Sequence, residues 1–309
     1  MAVACNLIFD SCCDLPRTIW DVPGVTMLPF TYTDGEKSYT DDSYESRTPH
    51  DFYEWLRAGA TPSTSQPSQL EFETAFRKAV TSGIPTVYFS FTRGASGAYE
   101  GALAALDRMH AEFGDDIELY VVDTKLGSAP QGLLMVEALR LRERGMTAPE
   151  IVNWAQEALY FVQTIFMVED LTTLHRGGRI PASVAIAGSK LDLKPLLSWD
   201  LDGKLAVVGA ARGRKKGIKR MVELYQKAHD DGQGGQMVAV GQADAPKDAD
   251  RLVELLEKEN PAAVFLRLNI GPTVGSHVGP GMLALSFWGP DRRESISISD
   301  RIANKVRNS

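Results

Sequence analysis

Two stretches of this chain place hydroxyl side chains beside a helix start. The first is Thr64-Ser65-Gln66-Pro67-Ser68-Gln69-Leu70-Glu71. Ser68 and Glu71 have the spacing of a capping box, which predicts a helix from Gln69. Thr64 and Ser65 stand just before it, where free backbone N–H groups and the positive end of the helix dipole favour an anion. Simple capping by Ser68, with Thr64 and Ser65 as turn residues, is the competing reading. The second stretch runs from Ser90 to Glu100, Ser-Phe-Thr-Arg-Gly-Ala-Ser-Gly-Ala-Tyr-Glu. It leaves an apolar strand, passes a glycine and enters a helix. Open α/β sheets hold ligands there, beyond the carboxyl ends of their strands. Ser96 is the expected N-cap, and Gly97 would let a ligand approach the backbone. An ordinary capped helix is again the alternative. Asp10-Ser11 and Asp123-Thr124 also end predicted strands and are second-rank candidates for the same edge.

The second half carries the cations. Leu174-His175-Arg176-Gly177-Gly178-Arg179-Ile180 sets two arginines around a glycine pair. A tight turn at the glycines would let Arg179 offer its fork to a carboxylate or phosphate. His277 lies among glycines at 271, 275, 279 and 281. Such a loop is costly in entropy unless backbone must approach something closely. Arg212-Gly213-Arg214-Lys215-Lys216 is the densest basic run. It follows a predicted strand and precedes a predicted helix, where the dipole disfavours cations. It reads either as a solvated helix start or as a contact for an acidic ligand or protein partner. Several motifs are missing: no G-x-x-x-x-G-K-[ST], no G-x-G-x-x-G after the first strand, no G-x-S-x-G and no H-E-x-x-H. The chain therefore offers hydroxyls and anion-friendly helix starts without a base–nucleophile set, and no catalytic residue is assigned. Cys5, Cys12 and Cys13 crowd the first thirteen residues. They make no disulfide framework and have no companion cluster at zinc spacing, so they read as small thiols at a strand end and no metal site is expected.

These residues must be positioned by a chain of 309 residues, a length that suits about two domains. Apolar residues make up 44% and charged residues 24%, which excludes disorder over most of the chain. The net charge of −7 lacks the basic field of a general nucleic-acid binder. No apolar run approaches the roughly 20 residues of a membrane span, and Met1 to Asp10 lacks the basic start of a signal peptide, so a cytoplasmic protein is expected. Apolar runs at Cys5–Asp10, Val25–Tyr32, Thr86–Phe91 and Ile117–Asp123 predict strands, with Pro29 marking an edge or bulge. Helical patterns at Pro49–Ala58, Gln69–Val80, Gly97–Glu112 and Gln131–Arg144 alternate with them, implying a mainly parallel sheet with helices on both faces. A further capping box at Thr147 and Glu150 opens a helix to about Tyr160. Beyond it the strand Thr164–Val168 leads to a hairpin, Leu196–Asp200 and Leu205–Ala211, with Asp202-Gly203 suiting a two-residue turn. Strands at Gln236–Gly241, Ala262–Ile270 and Leu283–Trp288 and helices at Gly217–His229 and Asp248–Glu259 follow. The expected fold class is thus α/β with two α/β domains, residues 1–163 with a mainly parallel sheet flanked by helices and 164–309 with a mixed sheet and helices. The tail after Trp288 has no reading beyond a helix from Ser299.

Taken in order, several segments resemble the DegV family of bacterial fatty-acid-binding proteins. They are Asp10-Ser11-Cys12-Cys13-Asp14-Leu15-Pro16, Thr64 to Ser68, Ser96-Gly97-Ala98-Tyr99, Leu174 to Ile180, Lys194-Pro195, Arg212 to Lys216 and Gly275 to Gly281. Each motif is weak alone; their order spans almost the whole chain. The resemblance implies two α/β domains with one long-chain fatty acid buried between them and no cofactor. It implies a lipid-binding protein rather than an enzyme, acting in phospholipid metabolism as the carrier for a separate ATP-dependent fatty acid kinase. That kinase would convert the bound carboxylate to an acyl phosphate. Position by position, Thr64 and Ser96 match the hydroxyls that hold the carboxylate, with the Gly97 backbone in support. Arg179 and His277 match polar residues near the carboxylate, and Arg212 matches a basic position linked to kinase docking. The chain departs from the family at Thr92-Arg93, where Ser-Ser is usual, at Ala95, where Leu is usual, and at Ala98, which lacks the usual Thr hydroxyl. Two other readings stay open: a phosphoryl- or acyl-transferring enzyme using Arg179 and His277 itself, and a lipid sensor without a kinase partner.

Overall fold

The computed structural model describes residues 4–183, 193–229 and 237–294. The helix expected from Ser299 lies outside these residues. The chain begins with β1 (Asn6–Asp10), a 3-10 turn at Ser11–Cys13 and the single-turn α1 (Arg17–Trp20). With β2 (Val25–Leu28), β6 (Thr86–Ser90) and β7 (Leu119–Asp123), β1 forms a four-stranded sheet of order β2-β1-β6-β7. All its pairings are parallel, with Leu7 opposite both Val25 and Val87. Every residue of β6 is buried, as expected of a central parallel strand covered on both faces.

A second small sheet joins β3 (Thr31–Thr33), β4 (Ser38–Thr40) and β5 (Ser63–Ser65) in the antiparallel order β4-β3-β5. The sequence did not reveal it. The single strand expected over Val25–Tyr32 divides at Pro29-Phe30, and its second half pairs away from the main sheet. Ser11 holds the break by accepting the Phe30 N–H at 3.0 Å.

Helices α2 (Pro49–Arg57), α3 (Gln69–Thr81), α4 (Ala98–Phe113), α5 (Ala129–Glu143) and α6 (Ala148–Ala158) fall within a few residues of their expected spans. Both capping boxes form. The Ser68 N–H donates to Glu71 Oε2 at 2.7 Å, and the Thr147 N–H to Glu150 Oε2 at 2.8 Å. Helix α5 is buried over most of its length and packs against the Ser11–Cys13 turn, α6 and the second large sheet.

The second large sheet holds β8 (Val162–Met167), β9 (Leu193–Trp199), β10 (Leu205–Arg212), β11 (Met237–Gln242), β12 (Val264–Asn269) and β13 (Leu283–Trp288). Its order is β10-β9-β8-β13-β11-β12, antiparallel except for the β11–β12 pair. Among the described residues this part also holds helices α7 (Thr172–Arg176), α8 (Arg214–Ala228), α9 (Pro246–Glu259) and α10 (Pro272–Val278). Three expectations change here. The β9–β10 turn is longer than two residues: the Asp200 N–H donates to Lys204 O, and Gly203, at φ +75°, rather than Asp202 carries the left-handed conformation. Helix α8 starts at Arg214, so Arg214, Lys215 and Lys216 form its first turn instead of preceding it. The glycine-rich stretch around His277 is a short helix. Gly275 is needed there because a Cβ would stand 2.6 Å from the Tyr53 hydroxyl of α2. Among the described residues no helix is long and apolar enough to cross a membrane.

Candidate functional site

A largely closed cavity lies between the two large sheets. Its walls are mostly apolar: Phe30 and Phe91 from the first sheet's side, Phe166, Trp199, Leu205 and Ala284 from the second. Phe91 stands edge-on to Phe30 at 6.2 Å and to Trp199 at 5.9 Å, so aromatic packing joins the two sides.

Thr64, Ser96, Arg179 and His277, chosen from four separate stretches of sequence, all line this one cavity. Thr64 is presented by β5, opposite Tyr32 of β3, and not by the start of α3. The anion site expected from the α3 dipole is therefore corrected to a strand-borne hydroxyl. Ser96 precedes α4 by two residues. Its Oγ accepts the Ala98 N–H at 3.2 Å, while Gly97 occupies the N-cap position assigned to Ser96 from the sequence. Gly97 does not line the cavity. A Cβ there would stand 2.8 Å from Gln66 Oε1, so its bareness admits the Gln66 side chain and not a ligand.

Arg179 reaches across from the second sheet's side. Its Nε donates to Ala95 O at 3.1 Å, and Nη1 donates to Gly177 O, which ties it to the segment carrying Ser96. Burial pulls its guanidinium below the ordinary arginine value. Among the described residues no carboxylate pairs with it. His277 Nε2 lies 2.8 Å from Thr64 Oγ1, and its Nδ1 is buried without a hydrogen-bond partner among the described residues. Gly177 makes room for this ring, since a Cβ would meet Nδ1 at 2.2 Å. Burial first, then the charges of Arg179 and Arg176, push the imidazole down to about 4, so it is neutral near pH 7. The site is thus a half-buried cation, a neutral imidazole and two hydroxyls lining an apolar cavity. It offers hydrogen-bond donors to an anion.

The second-rank candidates serve as scaffold. Asp10 accepts the Phe91 N–H at 2.6 Å and the Cys12 N–H at 3.2 Å, and burial raises its carboxyl to about 7. Asp123 accepts the Lys125 N–H at 3.0 Å, and Thr124 Oγ1 donates to Ser90 O at 2.8 Å. All three cysteines are free and buried, and burial raises each thiol. Arg93 turns outward onto Tyr99 and pairs with Glu100 at 2.8 Å, so this departure adds no charge to the cavity. Arg212 lies elsewhere, in a groove with Ile165 and Leu196. Thr164 and Phe166 face the cavity, so Ile165 between them faces the sheet's other side, and the Arg212 groove with it.

Sequence reasoning missed Thr273, one helical turn before His277, whose buried hydroxyl lines the cavity near Asp41 without reaching hydrogen-bond geometry. It also missed the two acids that seat α10. Asp14 Oδ1 accepts the Gly271 N–H at 2.9 Å, and Asp41 Oδ2 accepts the Thr273 N–H at 3.1 Å. Nothing in the spacing of Asp41 marks it for that contact.

A family model described as an uncharacterised protein of the DegV family matches residues 4–289. A DegV domain-containing protein of Clostridium perfringens is 32% identical over 91% of this chain and 96% of its own length. The structure of a fatty acid binding DegV family protein from Streptococcus agalactiae shares 28% identity, covers 94% of this chain and 100% of that one, and superposes with a TM-score of 0.79. A DegV family protein from Thermus thermophilus, described for its fatty acid binding, shares 25% identity over 93% of this chain and 100% of its own, with a TM-score of 0.80.

Proposed function

The chain belongs to the DegV family, and on that premise we propose that it binds one long-chain fatty acid in the cavity between its sheets. We place the domain boundary near residue 163, so that the ligand lies between two α/β domains. The observation that carries the reading is Arg179: a half-buried cation with no carboxylate partner among the described residues, at the polar region of an otherwise apolar cavity. A fatty-acid carboxylate supplies the missing anion, and the apolar walls take the tail. Burying about 14 methylenes at roughly 0.8 kcal/mol each gives on the order of 11 kcal/mol gross, so the tail dominates affinity and the polar end sets orientation.

The hydroxyls fit that orientation. When the His277 proton sits on Nε2, the ring donates to Thr64 Oγ1 and frees the Thr64 O–H for a carboxylate oxygen. Ser96 already accepts from the Ala98 N–H, so its own O–H is available as a donor. The finer reading is that the protein presents this carboxylate to a separate ATP-dependent fatty acid kinase, with Arg212 in the docking surface. The lack of a nucleotide-phosphate motif in the chain agrees with that division of labour. Displacement of a fluorescent fatty acid tests the binding reading. Arg179→Ala should weaken it, and wild-type affinity in that variant would remove Arg179 from the site. With the kinase present, His277→Ala should slow phosphoryl transfer more than it weakens binding; unimpaired transfer would exclude His277 from that role.

A further inference from the structure

The β9–β10 hairpin has two sides with different neighbours. On the inner side Trp199 and Leu205 line the cavity. At its turn Gly203 O accepts from Thr92 Oγ1 at 2.8 Å, and a Cβ on Gly94 would stand 2.2 Å from the same oxygen, so the turn lies against the segment that carries Ser96. On the outer side β10 is an edge strand, paired among the described residues only with β9. Its stretch Val207-Val208-Gly209-Ala210 is exposed, the two valines 43% and 57%. A register shift falls between Val207 and Gly209. An uncharged exposed edge leaves backbone N–H and C=O groups that another strand would pair with.

The groove beside this edge has an apolar floor of Ile165 and Leu196 and a rim of Arg212, Lys216, Lys219 and Arg220. Arg220 pairs with Glu223 at 3.0 Å. Among the described residues Arg212, Lys216 and Lys219 make no ion pair. In a chain of net charge −7 this is a local reversal of sign. It complements an acidic partner and opposes a second copy of the same edge.

We propose that the outer edge of β10 receives an acidic, extended segment of a protein partner by strand addition, and that the hairpin reports cavity occupancy to that partner. Main-chain pairing supplies affinity and the basic rim supplies selection. A tail in the cavity touches Trp199 and Leu205, which belong to the same hairpin, so occupied and empty protein present the edge differently. A partner that favours one of the two states must change lipid affinity by the same factor. A flat anionic membrane would use the cations but leave the edge groups unpaired. The reporting half rests on the fatty-acid reading; the strand-addition half stands without it.

The test titrates ¹⁵N-labelled protein, palmitate-loaded and delipidated, with a short peptide alternating Glu and Val. Amide shifts should concentrate in β10 and the first turns of α8. The Lys216→Glu/Lys219→Glu double variant should bind roughly tenfold more weakly or worse, and a peptide N-methylated on alternate residues along either edge should lose binding to a similar extent. Loaded and delipidated protein should differ several-fold in peptide affinity. Equal binding of the N-methylated peptides overturns strand addition, and equal binding by the double variant overturns the basic rim. Equal affinity in the two lipid states overturns the reporting. Binding to phosphatidylglycerol vesicles with no peptide response assigns the patch to a membrane instead. A protein that takes up no palmitate refutes the fatty-acid reading and the reporting half with it, while the peptide arm still decides the edge.

Discussion

His277 is held neutral by burial and by two nearby arginines, which gives the site a pH signature. Its imidazole is lowered to about 4 in the fold against about 6.5 in an open chain, so the unfolded chain binds the extra proton between those values. The stabilising contribution is therefore complete above about pH 6.5 and is lost as pH falls through 4. His277→Gln should show a smaller loss of stability between pH 7 and pH 5 than wild type in parallel denaturant titrations; matching slopes would contradict the buried neutral ring. Thr64→Ala and Ser96→Ala should each weaken fatty-acid binding by about 1–3 kcal/mol, the scale of a hydrogen bond to a charged group, and the double variant should fall short of the sum because both face one carboxylate. Titration with a fluorescent fatty acid reads all three. Thr64, Ser96, Arg179 and His277 could be singled out in the sequence as hydroxyls near expected helix starts and cations among glycines, and all four line the cavity. Gly97, expected to let a ligand approach the backbone, instead admits Gln66, a neighbour from the loop before α3 that no local pattern reveals.

At the scale of elements, α10 carries both His277 and Thr273, and its seat is a pair of buried acids from the other side of the cavity. Asp41→Ala should leave the Thr273 N–H without its acceptor, costing about 1–3 kcal/mol of stability and weakening lipid binding although Asp41 does not line the cavity. Asp41→Asn keeps an amide oxygen for that N–H and should stay close to wild type. Burial raises the Asp41 carboxyl to about 6, so this group costs stability as pH rises from about 4 through 6, opposite to His277; the Asn variant should lose that slope. Thermal unfolding across this pH range measures both effects, and an Asn variant as damaged as the Ala variant would argue against the acceptor role. The capped helices and buried strands were legible because Ser68–Glu71, Thr147–Glu150 and runs such as Thr86 to Ser90 carry local signals. The strands β3, β4 and β5 were not, since three residues of Thr, Ser and Tyr are too short to show alternation. Helix α10 read as a loop because Gly275 within it and Gly271, Gly279 and Gly281 around it disfavour helix, a cost offset by packing against Phe52 and Tyr53 that no local rule foresees.

For the whole molecule, two α/β parts built on different sheets enclose one apolar cavity whose polar groups come from both. The alternation of strands and helices made the two-part architecture legible, but the cavity itself was hidden: Phe166, Trp199 and Leu205 look in sequence like any other core residues. A ligand held between the parts should stabilise both. Palmitate at about 100 times its Kd should add roughly 2.7 kcal/mol and raise Tm, an effect that Arg179→Ala should reduce. Differential scanning fluorimetry of delipidated protein with and without palmitate checks this; an unchanged Tm would place the lipid elsewhere or nowhere. The central claim, one fatty acid in one cavity, is tested most directly by native mass spectrometry of the protein purified without added lipid. The account expects a mass increment of a single long-chain fatty acid, lost on denaturation and restored to one equivalent when palmitate is added to delipidated protein. A bare polypeptide mass that palmitate does not shift, with ATP turnover by the protein alone, would contradict it and favour an enzyme acting through Arg179 and His277.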